Sequence, residues 1–219
     1  MNRTKEQYAE DISSCARERW FKNHTVKVTT FESTENASTI TVVDFRQPGT
    51  INYAVRYVFD GHHIYVSGDL GCAVFNCTWK PTPAGKQYHS MWYMFEKLAA
   101  SENTNWDFET EVCKATLANM LLEANPEGDH TCYPEHWGFD EVTIYHALCD
   151  AADRSSSVNE WAHELYEVME SYDITRLDGD YWEWIYDAGD IMPNRIVGII
   201  TGLQIVSEKL NKKEEQADA

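Results

Sequence analysis

The stretch from residue 43 to residue 79 constrains the fold more than any other part of the chain, because turn signals separate short runs rich in Val, Ile, Tyr and Phe. Pro48-Gly49 marks one turn, Asp60-Gly61 a second and Gly68-Asp69-Leu70-Gly71 a third. We expect a type I′ hairpin turn centred on Asp60 and Gly61, since that turn needs positive φ at both central residues. Strand alternation places Tyr53, Val55, Tyr57 and Phe59 on one face and Ala54, Arg56 and Val58 on the other. These patterns predict an antiparallel meander.

Patterns on either side of this stretch complete a prediction of the α+β class. Residues 4–23 show helical periodicity with Thr4 as N-cap, and two β-branched segments, 24–30 and 39–45, bring the sheet to about five strands. After a linker at 80–85, helices are predicted over 88–100, 107–124, 139–152, 158–172, 180–187 and 193–210. We therefore predict an N-terminal helix plus sheet over 1–80, a helical region over 86–210 and a flexible tail over 211–219.

The last predicted helix is apolar around most of its circumference. We expect it to be buried against the other helices or against a copy of itself. Gly198 and Gly202 lie four residues apart and would allow another helix to approach closely. The pattern of this helix is therefore compatible with a homodimer.

The net charge restricts the class of partner. The chain has 36 acidic and 18 basic residues, a formal charge of −18. Such a protein repels nucleic acid and anionic membranes and attracts cationic surfaces; the acidity can also serve solubility or salt adaptation alone. Residues 1–23 lack the apolar core of a signal peptide, and the apolar run at 196–206 is too short to span a bilayer. We expect a cytoplasmic protein with reduced cysteines.

Two rows of carboxylates in the second half are the main functional signal. Glu160, Glu164 and Glu167 lie at i, i+4 and i+7 of a predicted helix, opposite an apolar stripe. The next segment interleaves acidic and aromatic residues, and only Arg176 stands nearby to neutralise them. The candidate partner-binding residues are Glu160, Glu164, Glu167, Glu170, Asp178, Asp180, Trp182, Glu183, Trp184 and Asp187.

Closely spaced carboxylates on a rigid element can imitate the charges of a nucleic-acid backbone. Aromatic side chains exposed beside them would add contact area of the kind that dominates protein interfaces. In the alternative interpretation the aromatic residues are core, and the acidic residues only solvate the outside. The apolar stripe on the first of these helices is Trp161, Leu165, Val168 and Tyr172.

Catalytic and metal signatures are weak. The chain has no phosphate-binding loop, nucleophile elbow or His-Glu-x-x-His motif. Four residues offer a tetrahedral zinc set: His130, Cys132, His146 and Cys149. Because no Cys-x-x-Cys pair accompanies them, we expect no bound metal. Because the catalytic motifs above are missing from the sequence, we expect no other cofactor and no enzymatic activity. A metal-dependent hydrolase that uses Asp44, Asp69 or His63 is the enzyme alternative.

Three motifs in the first half resemble a known family. Asp44-Phe45-Arg46-Gln47-Pro48-Gly49-Thr50, Tyr53-Ala54-Val55-Arg56-Tyr57 and Gly68-Asp69-Leu70-Gly71-Cys72-Ala73-Val74 are similar to a pattern in small acidic phage and prophage proteins of Firmicutes, some of which act as anti-CRISPR proteins. The resemblance covers residues 40–80 and supplies no catalytic residue.

This resemblance implies a counter-defence role in the cytoplasm of a bacterial host. Together with the charge, it leads us to expect a non-enzymatic inhibitor that binds a CRISPR effector nuclease and blocks nucleic-acid access through the acidic surface. More broadly, the expected partner is a host defence nuclease or another basic protein surface, without direct binding to nucleic acid or membrane. The alternative is a phage accessory protein that binds another host protein through its β half.

Overall fold

The computed structural model describes residues 3–32, 39–102, 106–122 and 133–217 and confirms the α+β class. An N-terminal helix precedes a six-stranded antiparallel sheet whose strands lie side by side in chain order, and helices follow. The chain divides into two compact units: unit 1 comprises Met1–Tyr8 and Asn105–Met192, and unit 2 comprises Ala9–Thr104 and Pro193–Ala219. The predicted division at residues 80–86 differs from this one, because the last helix belongs to the same unit as the sheet.

The sheet has one strand more than the sequence predicts. Its strands are β1 (Thr25–Glu32), β2 (Thr39–Arg46), β3 (Val55–Asp60), β4 (His63–Gly68), β5 (Ala73–Asn76) and β6 (Leu98–Ser101). The sixth strand pairs with β5 across a bulge and occupies a segment predicted to be helical. Alternation holds along β3, where Val55, Tyr57 and Phe59 are buried and Arg56 is exposed.

One of the three predicted turns differs in detail. Asp60 pairs with His63, so Gly61 and His62 are the central residues of the β3–β4 turn. Only Gly61 has positive φ (59°), which suits a type II′ turn and shows that the predicted type I′ turn is wrong. The Pro48-Gly49 turn is confirmed, with Gly49 at φ 80°.

Residues 51–54 form a turn and not the predicted start of β3. Tyr53 adopts φ 53°, and its backbone N–H donates to the Asp69 carboxylate (Oδ2, 2.7 Å). Gly68 faces this turn at φ 143°, where an added Cβ would lie 2.1 Å from the Ala54 carbonyl oxygen. The third turn, which follows the neighbouring strand β4, therefore holds the 51–54 segment in place.

The opening helix begins as predicted. In α1 (Lys5–Cys15), Thr4 Oγ1 accepts from the Gln7 N–H (3.2 Å) and Gln7 Oε1 accepts from the Thr4 N–H (3.0 Å), a reciprocal capping box. A π-helical segment, Ala16–Trp20, continues the chain towards β1.

The last helix, α6 (Asn194–Ala217), packs against helical segments of unit 2 (Ala16–Trp20, Lys86–His89 and Met91–Glu96) and against β3 of the sheet. Gly202 lies against the buried face, because a Cβ there would meet Tyr57 Oη at 2.4 Å and the rings of Phe21 and Phe45 at 3.5 Å. Tyr57 Oη donates to the Ile199 carbonyl (2.7 Å). Gly198 and Gly202 thus serve packing within one chain, and the helix continues beyond the predicted end near Leu210.

Unit 1 has a helical core. Its helices are α3 (Thr110–Leu121), α4 (Phe139–Arg154) and α5 (Val158–Ser171), and its two-stranded sheet pairs β7 (Asp107–Phe108) with β8 (Asp190–Ile191). In unit 2, α2 is the short helix Met91–Glu96. Within the described ranges, no helix has both the length and the apolar character needed to cross a membrane.

Candidate acidic interaction surface

The negative charge of the chain is concentrated in unit 1. Counted along the sequence, unit 1 has 22 acidic and five basic residues, whereas unit 2 has 14 acidic and 13 basic ones. The net charges are therefore −17 and −1. Residues 158–190, which we call the acidic–aromatic segment, contribute ten of these acidic residues and a single arginine.

The acidic–aromatic segment is anchored by one buried indole. Trp161 on α5 is fully buried, and its Nε1 donates to the Ile185 carbonyl (2.9 Å). Leu165 and Val168 continue the buried face of α5, as predicted. The contact ties α5 to the residues that follow it and leaves the opposite side of the helix to solvent.

The two carboxylates nearest the start of α5 accept hydrogen bonds from other residues of unit 1, and one of them, Glu164, forms an ion pair. Glu160 Oε2 accepts from the backbone N–H (2.8 Å) and the hydroxyl (2.6 Å) of Ser156, and these hydrogen bonds lower the pKa of Glu160. Glu164 Oε2 accepts from Arg154 Nε on the preceding helix (2.6 Å). Both residues thus act within the fold.

The next two carboxylates of α5 have no cationic partner among the described residues, although Glu170 accepts a hydrogen bond from Tyr166. Glu167 and Glu170 are exposed, and within the described residues neither forms an ion pair. The nearby Arg176 turns instead to Asp140 and Glu141 at the start of α4 (2.7 Å each). Tyr166 Oη donates to Glu170 Oε1 (2.7 Å), which raises the pKa of the tyrosine.

Asp178 and Trp184 form an internal contact. Trp184 Nε1 donates to Asp178 Oδ2 (2.8 Å), and the Asp180 backbone N–H donates to Asp178 Oδ1 (2.9 Å). Trp184 is half-buried and packs against the core of unit 1. These two predicted contact residues therefore stabilise the local fold, and each is only half-exposed.

The remaining predicted residues lie on or directly before two short 3₁₀ turns and not on the predicted helix over 180–187. Those turns are Tyr181–Glu183 and Ile185–Asp187. Asp180, Glu183 and Asp187 are exposed, and Trp182 is 60% exposed. The Asp187 carbonyl accepts from Lys5 Nζ (2.6 Å), while its carboxylate faces outward.

Three exposed tyrosines of the same segment were not predicted as contact residues: Tyr166, Tyr172 and Tyr186. Tyr172 was predicted on the buried stripe, but α5 ends at Ser171 and Tyr172 has an extended backbone that takes it off the stripe. Tyr186 Oη lies 3.7 Å from Met169 Sδ. The turns and the end of α5 therefore meet.

A hollow of about 470 Å³ marks this meeting point. It is lined by Met169, Glu170, Ser171, Tyr172, Asp173, Ile174, Thr175 and Tyr181. Two acidic residues, Glu170 and Asp173, and two tyrosines, Tyr172 and Tyr181, are among the residues that line it. Such a hollow suits a long cationic side chain, since a guanidinium pairs with carboxylates and stacks on aromatic rings.

The candidate metal ligands are not brought together in the described residues, which contain no group of three possible ligands. His146 Nε2 lies 2.9 Å from Tyr133 Oη. Burial raises the pKa of the half-buried Cys149. His130 and Cys132 lie outside the described residues.

The residues named for a hydrolase also have separate partners in unit 2. Asp44 Oδ1 accepts from Arg56 Nε (2.7 Å), and Asp69 holds the Tyr53 N–H. His63 stacks on Tyr65 with ring centroids 5.8 Å apart.

The surface that emerges comprises Glu167, Glu170, Asp173, Asp180, Glu183 and Asp187 together with Tyr166, Tyr172, Trp182 and Tyr186. We call this set the acidic–aromatic surface. Comparisons of the chain with protein-family models, with curated proteins and with solved structures return no match.

Proposed function

We propose that the protein is a counter-defence inhibitor whose acidic–aromatic surface occupies a cationic nucleic-acid groove on a CRISPR effector nuclease. The single observation that carries this proposal is the separation of charge, −17 on unit 1 against −1 on unit 2. Solubility alone would be served by negative charge on either unit. Concentration on one unit instead favours attraction to one kind of surface.

The exposed aromatic residues add a second argument. Trp182, Tyr166, Tyr172 and Tyr186 are each more than a third exposed within a segment that also carries ten carboxylates. Aromatic side chains are frequent among the residues that dominate interface energies. Carboxylates would accelerate the encounter with a basic groove, and the aromatic rings would slow dissociation.

The choice of an RNA-guided nuclease follows from the resemblance over residues 40–80, which lies in unit 2. Such nucleases hold their guide and target strands in positively charged channels. A rigid surface with closely spaced carboxylates competes for those channels in the way that phosphates bind them. The resemblance and the charge distribution are therefore independent reasons, and each comes from a different unit.

The test is the affinity of the purified protein for a guide-loaded effector nuclease, measured at about 0.1 M and about 0.3 M NaCl. We expect the affinity to fall at least about tenfold over this range, because the contact releases counterions as a nucleic acid would. We expect DNA to compete with the protein for the nuclease. Equal affinity at both salt concentrations would contradict a charge-based contact.

A matched pair of variants separates the surface from the overall charge. Reversal to Lys at Glu167, Glu170, Asp180 and Glu183 alters unit 1, and reversal at Glu10, Glu18, Glu32 and Glu96 changes the total charge equally in unit 2. We expect the first variant to lose at least about two orders of magnitude in affinity and the second less than about tenfold. Equal losses would refute a local contact in unit 1.

A further inference from the structure

Among the described residues, one face of the six-stranded sheet carries exposed and half-buried side chains, and none of those in its central rows is fully buried. The opposite face is covered by α6, where Gly202 meets Tyr57. The first of these faces, which we call the outer face, has a middle row that crosses all six strands and is apolar except for Thr29: Thr29, Val42, Val58, Tyr65, Val74 and Ala100. Tyr65 is 42% exposed, and Phe31 on the next row is 57% exposed. An exposed apolar row of this width is typical of a contact surface.

Charged residues flank the middle row with opposite signs. On one side Lys27, Asp44 and Arg56 lie in cross-strand register, and Arg56 Nε donates to Asp44 Oδ1 (2.7 Å). On the other side Phe31, Ile40, Asp60 and His63 lie in register. The first flank carries one net positive charge and the second one negative charge, with His63 neutral.

We propose that two copies of this chain associate through their outer faces, about a twofold axis that runs across the strands. That axis places the middle row of one copy on the middle row of the other. It brings Arg56 opposite Asp60 of the second copy, because these residues lie two positions on either side of Val58 on the same strand. It also brings Lys27 opposite the exposed ring of Phe31, a favourable cation–π geometry.

The geometry of packed sheets is compatible with this arrangement. Stacked sheets cross at about 30°, which displaces residues far from the centre of the face more than residues near it. β3 is the third of six strands, so the pair of Arg56 with Asp60 stays close to that centre. A twofold axis makes the pair occur twice, as an isologous interface requires.

Charge also favours the second copy as the occupant. Two chains at −18 repel one another least through unit 2, whose net charge is −1. Six strands about 4.8 Å apart and about 20 Å long give a face of about 500 Å² per copy. Two such faces bury about 1,000 Å², which lies near the lower end for specific complexes and predicts a dimer that dissociates on dilution.

The test uses charge complementation between two variants, followed by sedimentation at high protein concentration. We expect the wild type to approach twice the chain mass of 25.3 kDa. Arg56→Glu and Asp60→Arg should each be monomeric, because each homodimer would contain two like-charged pairs. An equimolar mixture of the two variants should recover the dimer, since both cross-copy pairs then have opposite charges.

Controls separate this contact from a loss of fold or of overall charge. Arg19→Glu and Glu96→Arg make the same charge changes at exposed sites on other elements of unit 2 and should leave the dimer intact. Circular dichroism checks that each variant is folded. A wild type that stays monomeric at about 100 μM, a concentration at which weak and transient complexes are commonly detected, would overturn the proposal. A dimer that survives both Arg56→Glu and Tyr65→Lys would overturn it too, as would variants that fail to complement one another.

Discussion

Asp190 is a buried carboxyl whose charge opposes folding of unit 1. The residue is 4% exposed, and Oδ1 has no hydrogen-bond partner among the described residues. Burial raises its pKa from 3.8 to about 6, and the neighbouring Asp187 adds to the shift, whereas Lys5 counteracts it. The folded state therefore holds a proton that the unfolded state releases, and this contribution to stability is lost as pH rises from about 4 to about 6.

We predict that Asp190→Asn raises the free energy of unfolding by about 1–3 kcal/mol at pH 7.5, because the amide carries no charge to desolvate. Near pH 4 the variant and the wild type should differ little, since the carboxyl is then protonated in the folded state. Urea unfolding at the two pH values measures both quantities. Asp180→Asn, at an exposed site, is the control and should change stability by less than about 0.5 kcal/mol. Equal stability of Asp190→Asn and wild type at pH 7.5 would contradict the buried charge.

Single residues also show where sequence reasoning about the candidate surface is limited. The count of carboxylates in residues 158–190 is visible in the sequence, but their partners are not. Arg154 lies ten positions before Glu164 and reaches it from another helix, and the Ser156 hydroxyl donates a hydrogen bond to Glu160. Only the folded structure shows which carboxylates have cationic partners: among the described residues, Glu167 and Glu170 form no ion pair.

At the scale of elements, the contact between α6 and the sheet sets a steric limit. Gly202→Ala would usually favour a helix by about 1 kcal/mol. Here the added Cβ would lie 2.4 Å from Tyr57 Oη, which is held by its bond to Ile199. We predict that Gly202→Ala lowers the free energy of unfolding by about 1–3 kcal/mol, as measured by chemical denaturation.

A double-mutant cycle tests the cause of that loss. Tyr57→Phe removes the hydroxyl group, so Gly202→Ala should cost less in the Tyr57→Phe background than in the wild type. Equal costs in both backgrounds would show that Tyr57 is not the obstacle.

Local patterns predicted most of the sheet, and non-local contacts explain the errors. β-Branched runs and turn residues located β1 to β5, because alternation and turn chemistry act within a few residues. The segment Leu98–Ser101 carries no such pattern and becomes β6 by pairing with β5. The 51–54 turn likewise depends on Asp69, far along the chain.

The helical prediction failed where aromatic residues are dense. Trp182, Trp184 and Tyr186 suggested a short helix, yet Asp178 caps this region by accepting from Trp184 and from the Asp180 backbone. Asp side chains compete with a helix through such local hydrogen bonds. The result is a series of 3₁₀ turns that keeps Trp182 outside and Trp184 half-buried.

At the scale of the whole molecule, the uneven charge makes the two units respond differently to salt. Like charges within unit 1 repel one another and oppose its compact state, and added salt screens this repulsion. We predict that raising NaCl from about 0.05 M to about 0.5 M slows amide hydrogen exchange in unit 1 more than in unit 2. Mass spectrometry of peptides from both units measures the effect, and unit 2 is the internal control. Equal slowing in the two units would argue against charge repulsion in unit 1.

Because α6 is the last element of the chain, the sheet is synthesised well before the helix that packs on it. The polypeptide leaves unit 2 after β6, builds unit 1 and returns at Pro193 to form α6. Until the ribosome has released α6, the apolar side of the newly made sheet around Tyr57 lacks the helix that covers it in the folded chain. Translation that stalls within residues 105–192 would therefore yield a nascent chain that chaperones bind and proteases remove.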